Sequence, residues 1–175
     1  MSKAVMLSIR PKWCKKIVNG EKTIEVRKTR PNIATPFKCY IYCTMDHPYI
    51  SVSCMELDKL NYRTNTVGRC NGKVIGEVIG EFTCERIALI AYDGGELSST
   101  TNAAFSPATC LTQAEIIAYI GDKGRCYGWH ISDLLIYDQP KGLDEFTRLR
   151  ETKFGSEPVT IKRPPQSWCY VEAMK

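Results

Sequence analysis

Leu7-Ser8-Ile9-Arg10-Pro11-Lys12-Trp13-Cys14-Lys15-Lys16-Ile17-Val18-Asn19-Gly20-Glu21-Lys22-Thr23-Ile24-Glu25-Val26-Arg27 reads as the end of a strand, a helix, and the start of another strand. Its first residues close the apolar run Ala4 to Ile9, the pattern of a buried strand. Pro11 suits the first turn of a helix, where no carbonyl waits for its missing N–H. Trp13/Ile17 and Cys14/Val18 are i, i+4 pairs, so the helix 11–19 carries one apolar stripe while Lys12, Lys15, Lys16 and Asn19 face out. Gly20 fits the helix stop. From Thr23 to Lys28 the period drops to two: Ile24 and Val26 point one way, Thr23, Glu25 and Arg27 the other. A carboxylate between two cations thus stands at a strand's start, beside a helix end.

Working outward, the chain continues mostly in strands. Phe37 to Thr44 alternates, with Phe37, Cys39, Ile41 and Cys43 on one face and Lys38, Tyr40 and Tyr42 on the other; either face suits the interior. Asn71-Gly72 marks a turn into the β-branched stretch Lys73 to Tyr92, in which Gly76 and Gly80 read as bends or bulges. Thr112 with Glu115 makes a capping box, Leu111 with Ile116 a hydrophobic staple, and Gly121 stops the helix they open. Arg125 to Tyr137 returns to strand, Leu143 to Phe146 suggests a helical turn, and Ser167 to Glu172 is a closing strand. The polar stretches around 45–71 and 93–111 read as surface insertions on a single domain spanning 1–175. Many strands with few helices predict an α+β fold: a mixed β-barrel with a helix at one mouth and one or two further short helices.

Composition narrows the class. At 175 residues, 43% hydrophobic and 25% charged, the chain fits one soluble domain with a sizeable core. Its best apolar run, Ile87 to Tyr92, is far short of the roughly 20 residues that cross a bilayer. The opening run Ala4 to Ile9 is too short for a signal-peptide core. Nine irregularly spaced cysteines, with no C-x-x-C, predict reduced thiols and a cytoplasmic protein. Only His47 and His130 could add imidazole ligands, so neither a metal nor another cofactor is expected. The net charge of +5 is local: residues 1–31 hold nine basic and two acidic residues, and the other 144 hold 15 and 17. A concentrated positive field draws phosphate or carboxylate ligands, whereas the plainer alternative for Lys12, Lys15 and Lys16 is a solvated helix face.

Lys22, Glu25 and Arg27 are the candidate site. Lys22 and Arg27 suit phosphate or carbonyl groups, and Glu25 suits an amino group of a base; the alternative is a surface ion pair worth under about 1 kcal/mol. Trp129 and Trp168 are either core or stacking platforms for single-stranded bases. Tyr42 either lines a pocket or ends a strand, His130 is a structural histidine or a general base, and Cys43 a core thiol or an activated thiolate.

The segment Leu7 to Arg27, with Ser8-Ile9-Arg10-Pro11, a helix, then Gly-x-Lys-Thr-x-Glu-x-Arg, resembles the activating signal cointegrator homology (ASCH) domain. Tyr127-Gly128-Trp129-His130-Ile131 and Pro164-Pro165-Gln166-Ser167-Trp168 resemble the closing strands of its bacterial and prophage members. The resemblance implies a PUA-like barrel with a cleft between barrel and helix, in a superfamily associated with RNA. It places the cleft motif on Gly20, Lys22, Glu25 and Arg27, with Arg10 and Trp13 beside it. A related enzyme family deacetylates N4-acetylcytidine with a lysine, a threonine and a glutamate. Lys22 matches that lysine, while Glu25 stands where the threonine would be. The expected function is a small cytoplasmic module binding RNA or a nucleotide-like ligand through Arg10, Lys22, Thr23, Glu25, Arg27, Tyr42, Trp129 and His130. The alternatives are a hydrolase of RNA or a modified nucleoside, with Lys22 and Glu25 as catalytic candidates, and a protein-interaction module suited by the near-neutral remainder of the chain. Charge reversal at Lys22 and Arg27 is expected to weaken RNA binding, and changes at Lys59 and Lys175 to matter less.

Overall fold

The computed structural model describes residues 2–44, 69–70, 73–74, 76–101 and 107–174. Most of the expected 45–71 insertion, His47, the Asn71-Gly72 turn, Lys59 and Lys175 lie outside the described residues. Eleven strands are described: β1 (Lys3–Ile9), β2 (Ile24–Arg27), β3 (Phe37–Cys43), β4 (Arg69–Cys70), β5 (Lys73–Val74), β6 (Glu77–Asp93), β7 (Glu96–Ser99), β8 (Arg125–Lys141), β9 (Thr147–Thr152), β10 (Gly155–Thr160) and β11 (Trp168–Glu172). Helix α1 is Pro11–Val18 and α2 is Gln113–Ile120, with 3-10 turns at Pro107–Thr109, Gly121–Lys123 and Leu143–Glu145. None of the described helices is long and apolar enough to cross a membrane.

One sheet runs in the order β10-β9-β11-β1-β3-β6-β8-β2, with β7 added on β6. β1 pairs parallel with β3 and every other pair is antiparallel, so the sheet is mixed as expected. Barrel closure by the backbone is not seen: β2 and β10 end the path. Curvature comes from β6 and β8, two 17-residue strands whose register slips between Val78 and Gly80, Glu81 and Thr83, and Cys84 and Ile87. Gly80 sits at the first slip, where a Cβ would run into the carbonyl oxygen of Leu135.

The period-two pattern buries both faces of the sheet centre. Val5, Leu7 and Ile9 meet Phe37, Cys39, Ile41, Phe82 and Trp129 in one core, which α1 covers with Cys14 and Ile17. Ala4 and Met6 meet Tyr40, Tyr42, Phe146, Ile161 and Val171 in a second, so the two candidate inward faces of β3 are both inward. A third core joins Ile24 and Val26 of β2 with Ala88, Ile90 and Cys126, under Ile116 and Ile120 of α2.

Three local differences have plain causes. Thr23 falls before β2, because its N–H is diverted to Ala108 O although its carbonyl still accepts from Ile131 N on β8. The 93–111 stretch is not all surface loop: Asp93-Gly94-Gly95-Glu96 turns β6 into β7, and Thr109 is buried. The β9–β10 hairpin escapes sequence reading because its pairs are polar, such as Arg150 with Glu157 at 2.9 Å, and give no apolar alternation.

Candidate functional site

Arg10 is the extended residue before α1, and Pro11 starts the helix without any side-chain cap. Gly20, at φ +74°, turns the chain back after α1, a conformation that glycine adopts without steric cost. The Lys22 N–H then bonds Lys16 O at 3.0 Å. On β2 the alternation predicted from sequence holds. Glu25 stands opposite Trp129 and Arg27 opposite Tyr127 on β8, while Ile24 and Val26 face α2.

The three charged heads meet. Lys22 Nζ is 3.4 Å from Glu25 Oε2, and Arg27 NH2 is 3.0 Å from Glu25 Oε1. They are buried, with Lys22 at 2%, Glu25 at 5% and Arg27 at 7% exposure, so this is no surface ion pair. Each cation is further held by backbone oxygens. Lys22 Nζ donates to Thr109 O at 2.6 Å, and Arg27 donates to Ser8 O at 2.7 Å and Ser167 O at 3.2 Å. Arg27 thereby ties β2 to the end of β1 and to the residue ahead of β11, a link the backbone ladder does not make. Arg27 Nε makes no hydrogen bond among the described residues. Burial pushes the Lys22 ammonium below its ordinary pKa and outweighs the upward pull of Glu25.

These groups form one wall of a cleft of about 630 Å³. Arg10, Lys12 and Trp13 at the start of α1 form a second wall, Leu111 just ahead of α2 with Glu115 and Tyr119 on it a third, and the Pro164-Pro165-Gln166 segment, with Ser8 and Thr44, closes the rest. The capping box fixes α2: Glu115 N donates to Thr112 Oγ1 at 3.2 Å, and Thr112 N to Glu115 Oε2 at 2.8 Å. Two ammonium groups contact the Trp13 ring, Lys12 Nζ 4.4 Å and Lys22 Nζ 5.0 Å from its centroid. Four cations (Arg10, Lys12, Lys22, Arg27) against two carboxylates (Glu25, Glu115) leave the lining at +2. The arrangement offers charged donors, a fixed carboxylate acceptor and flat apolar walls.

Of the sequence candidates, Arg10, Lys22, Glu25 and Arg27 come together in the cleft. The other four do not. Thr23 is exposed and its backbone alone is engaged. Trp129 is fully buried behind the ion cluster, edge-on to Phe37 at 5.7 Å, so no base can reach its face without unpacking the core. Tyr42 lies in the second core, on the opposite face of the sheet. His130 follows Trp129 on β8 and so points away from it; its Nε2 is 3.3 Å from Thr101 Oγ1, and partial burial beside Arg86 lowers its pKa. Cys43 is buried in the first core beside Cys14, 2% exposed, where no ligand in the cleft reaches it. Trp168 donates its Nε1–H to Thr29 Oγ1 at 2.9 Å. Among the described residues no three or more His, Cys, Asp or Glu side chains gather as a ligand set. The α2 wall was missed. Leu111, Glu115 and Tyr119 recur at every fourth residue, a legible stripe, but its partner is set by tertiary packing.

No family model and no curated protein matches the sequence. Among solved structures, ASCH from Zymomonas mobilis superposes with a TM-score of 0.54 at 18% identity, covering 97% of this chain and 87% of that one. Two of its single-substitution variants, one tyrosine to phenylalanine and one serine to alanine, give the same TM-score and identity. They cover 98% and 97% of this chain and 91% and 88% of theirs. The chain has an ASCH-like fold.

Proposed function

We propose that this chain is a small RNA- or nucleotide-binding module that takes its ligand in the cleft between α1, β2 and α2. The observation that carries the reading is the burial of three charges on the wall of an open cleft. Desolvation costs several kcal/mol per ion, and apolar side chains would fill the same space at no such cost. A fixed ion cluster makes sense where its unused donors and acceptors face a ligand. Each Glu25 oxygen has one cationic partner and a further lone pair, which suits the amino group of a base. Trp13 and Tyr119 suit the base's faces, and Arg10 and Lys12 at the mouth suit phosphate. The RNA association of the PUA-like superfamily supports the same reading, and the buried free thiols suit a reducing cytoplasm.

Lys22 and Arg27 are too deeply engaged for charge reversal to test binding, because it would leave uncompensated buried charge. The test uses exposed Arg10 and Lys12. Arg10→Gln with Lys12→Gln should weaken binding of single-stranded oligouridylate and flatten its salt slope by about 1.4, at about 0.7 per lost phosphate contact. Equal affinity and slope in variant and wild type would remove the reading and favour the protein-interaction alternative.

One observation favours a second reading, hydrolysis of an acylated nucleoside: burial lowers the Lys22 pKa, as a lysine base requires. Against it, Nζ already donates to Thr109 O and contacts Glu25, so its hydrogens serve the clamp. Acetate release from N4-acetylcytidine should be absent or slow. Turnover at a catalytic rate, lost in Lys22→Ala with binding retained, would put the enzyme first.

A further inference from the structure

Beyond Arg27 the chain leaves the cleft and enters a separate groove of about 400 Å³, lined by Lys28, Thr29, Arg30, Lys123, Arg125 and Tyr127. Four of those six side chains are cationic and none is acidic. All four cations are exposed, and none forms an ion pair with a described carboxylate. Asp122, a sequence neighbour, does not line the groove. The fold assembles the patch deliberately. The β2–β8 register sets Arg27 opposite Tyr127, so the residues after β2 run on beside Arg125, and the turn at Gly124, φ +66°, delivers Lys123. Four like charges at one site repel, a cost to the fold that no described carboxylate offsets.

Two contacts orient the patch. The Arg30 guanidinium lies over the Tyr127 ring, 5.9 Å from its centroid, a cation–π contact that holds a fork suited to phosphate at the groove. Lys28 Nζ lies 5.2 Å from the ring centroid of Tyr119, which is itself a wall of the cleft. Cleft and groove are therefore neighbours across one tyrosine, and Arg27 and Lys28, one in each, are consecutive residues.

We propose that this groove is a second anion site, which holds the sugar–phosphate backbone of a single-stranded polynucleotide while one of its bases occupies the cleft. The proposal rests on the nucleotide reading of the cleft and extends it: the ligand is a strand and not a free nucleotide. Two guanidinium forks and two ammonium groups are the donors that phosphate oxygens take. The aromatic walls next door favour a nucleic-acid strand over an acidic peptide, which has no bases to stack.

The test compares the wild-type chain with the triple variant Arg30→Gln, Lys123→Gln, Arg125→Gln, its fold checked by a Tm no lower than the wild type's. The probes are uridine 5′-monophosphate and an oligouridylate of about ten nucleotides, titrated at several salt concentrations. The wild type should bind the oligomer more tightly than the monomer and with a steeper salt slope. In the triple variant the oligomer slope should flatten by about 2, at about 0.7 for each of three lost contacts, with the monomer's affinity unchanged. Oligodeoxythymidylate tells the sugar apart, and a flattened slope with either strand supports the site. An oligomer slope untouched by the triple variant but flattened by Arg10→Gln with Lys12→Gln overturns the groove and keeps the cleft. The reverse result overturns the cleft reading and keeps the groove. An oligoglutamate of matched charge binding as tightly as the oligouridylate overturns the assignment to nucleic acid.

Discussion

Replacing Glu25 with glutamine keeps the side chain's shape and removes the charge that joins Lys22 to Arg27. In the wild type, Oε1 and Oε2 each meet one cation, at 3.0 and 3.4 Å, in a site 5% exposed. Without the carboxylate, two cations share a desolvated pocket. Removing one partner from a buried charge network costs about 3–5 kcal/mol. Thr109 O, Ser8 O and Ser167 O still accept from the stranded cations, which argues for the lower end, about 3 kcal/mol. For a domain of this size that lowers Tm by about 6–12 °C. Lys22→Met should cost less, about 1–2 kcal/mol, since Glu25 keeps Arg27 and an expensive buried ammonium is gone. Introduced into Glu25→Gln, Lys22→Met should even recover part of the loss, because it relieves the unpaired cation. Urea unfolding of the three variants, read at unchanged m, measures each cost. A Lys22→Met penalty as large as that of Glu25→Gln, or a Glu25→Gln penalty under about 0.5 kcal/mol, refutes the buried-cluster account.

Alkaline titration examines the same cluster. Since burial lowers the Lys22 pKa, the unfolded chain binds the extra proton between the folded value and about 10.4, and stability rises with pH across that window. The stability difference, wild type minus Lys22→Met, should therefore grow as pH rises towards about 10; urea unfolding at successive pH values giving a flat or falling difference contradicts it. Thr112→Ala removes the acceptor that caps α2 and should cost about 1 kcal/mol, lowering Tm by about 2–4 °C in a thermal melt. Gly80→Ala drives a methyl group into the Leu135 carbonyl at the first β6–β8 slip and should destabilise by about 1–3 kcal/mol, and a neutral result in urea would show that the strands part easily there.

Local periodicity made much of this legible. The stripe on α1, the alternation of β2 and the capping box of α2 are short-range patterns, and each appears in the structure, the β2 alternation without Thr23. Patterns of that kind name faces without saying what covers them. The sequence places Tyr42 and Trp129 on strands, but only the full order β10-β9-β11-β1-β3-β6-β8 puts Tyr42 in one core with Phe146 and Ile161 and Trp129 in another with Phe37. The Lys22 pKa shows the same limit of local reading. Glu25, three residues away, predicts a lysine held protonated. The larger effect is burial, since Lys22 sits against Trp13 and the Thr109 carbonyl, 87 residues distant.

At β2 the fold and the candidate function share one piece of backbone. Ile24 and Val26 fasten α2 through Ile116 and Ile120, and the alternate residues Glu25 and Arg27 form the charged wall of the cleft. The two walls facing a ligand, the ion cluster and the Leu111–Glu115–Tyr119 stripe, are thus positioned by opposite sides of the same four residues. A change that loosens Ile24 or Val26 moves both walls at once, whereas a change at Arg10 or Lys12 alters the mouth and leaves them in place. Binding defects at the rim should therefore separate from stability, and those at β2 should not. That division follows from strand alternation alone, and it is why the rim and the groove, rather than the cluster itself, are where recognition can be probed without unfolding the chain.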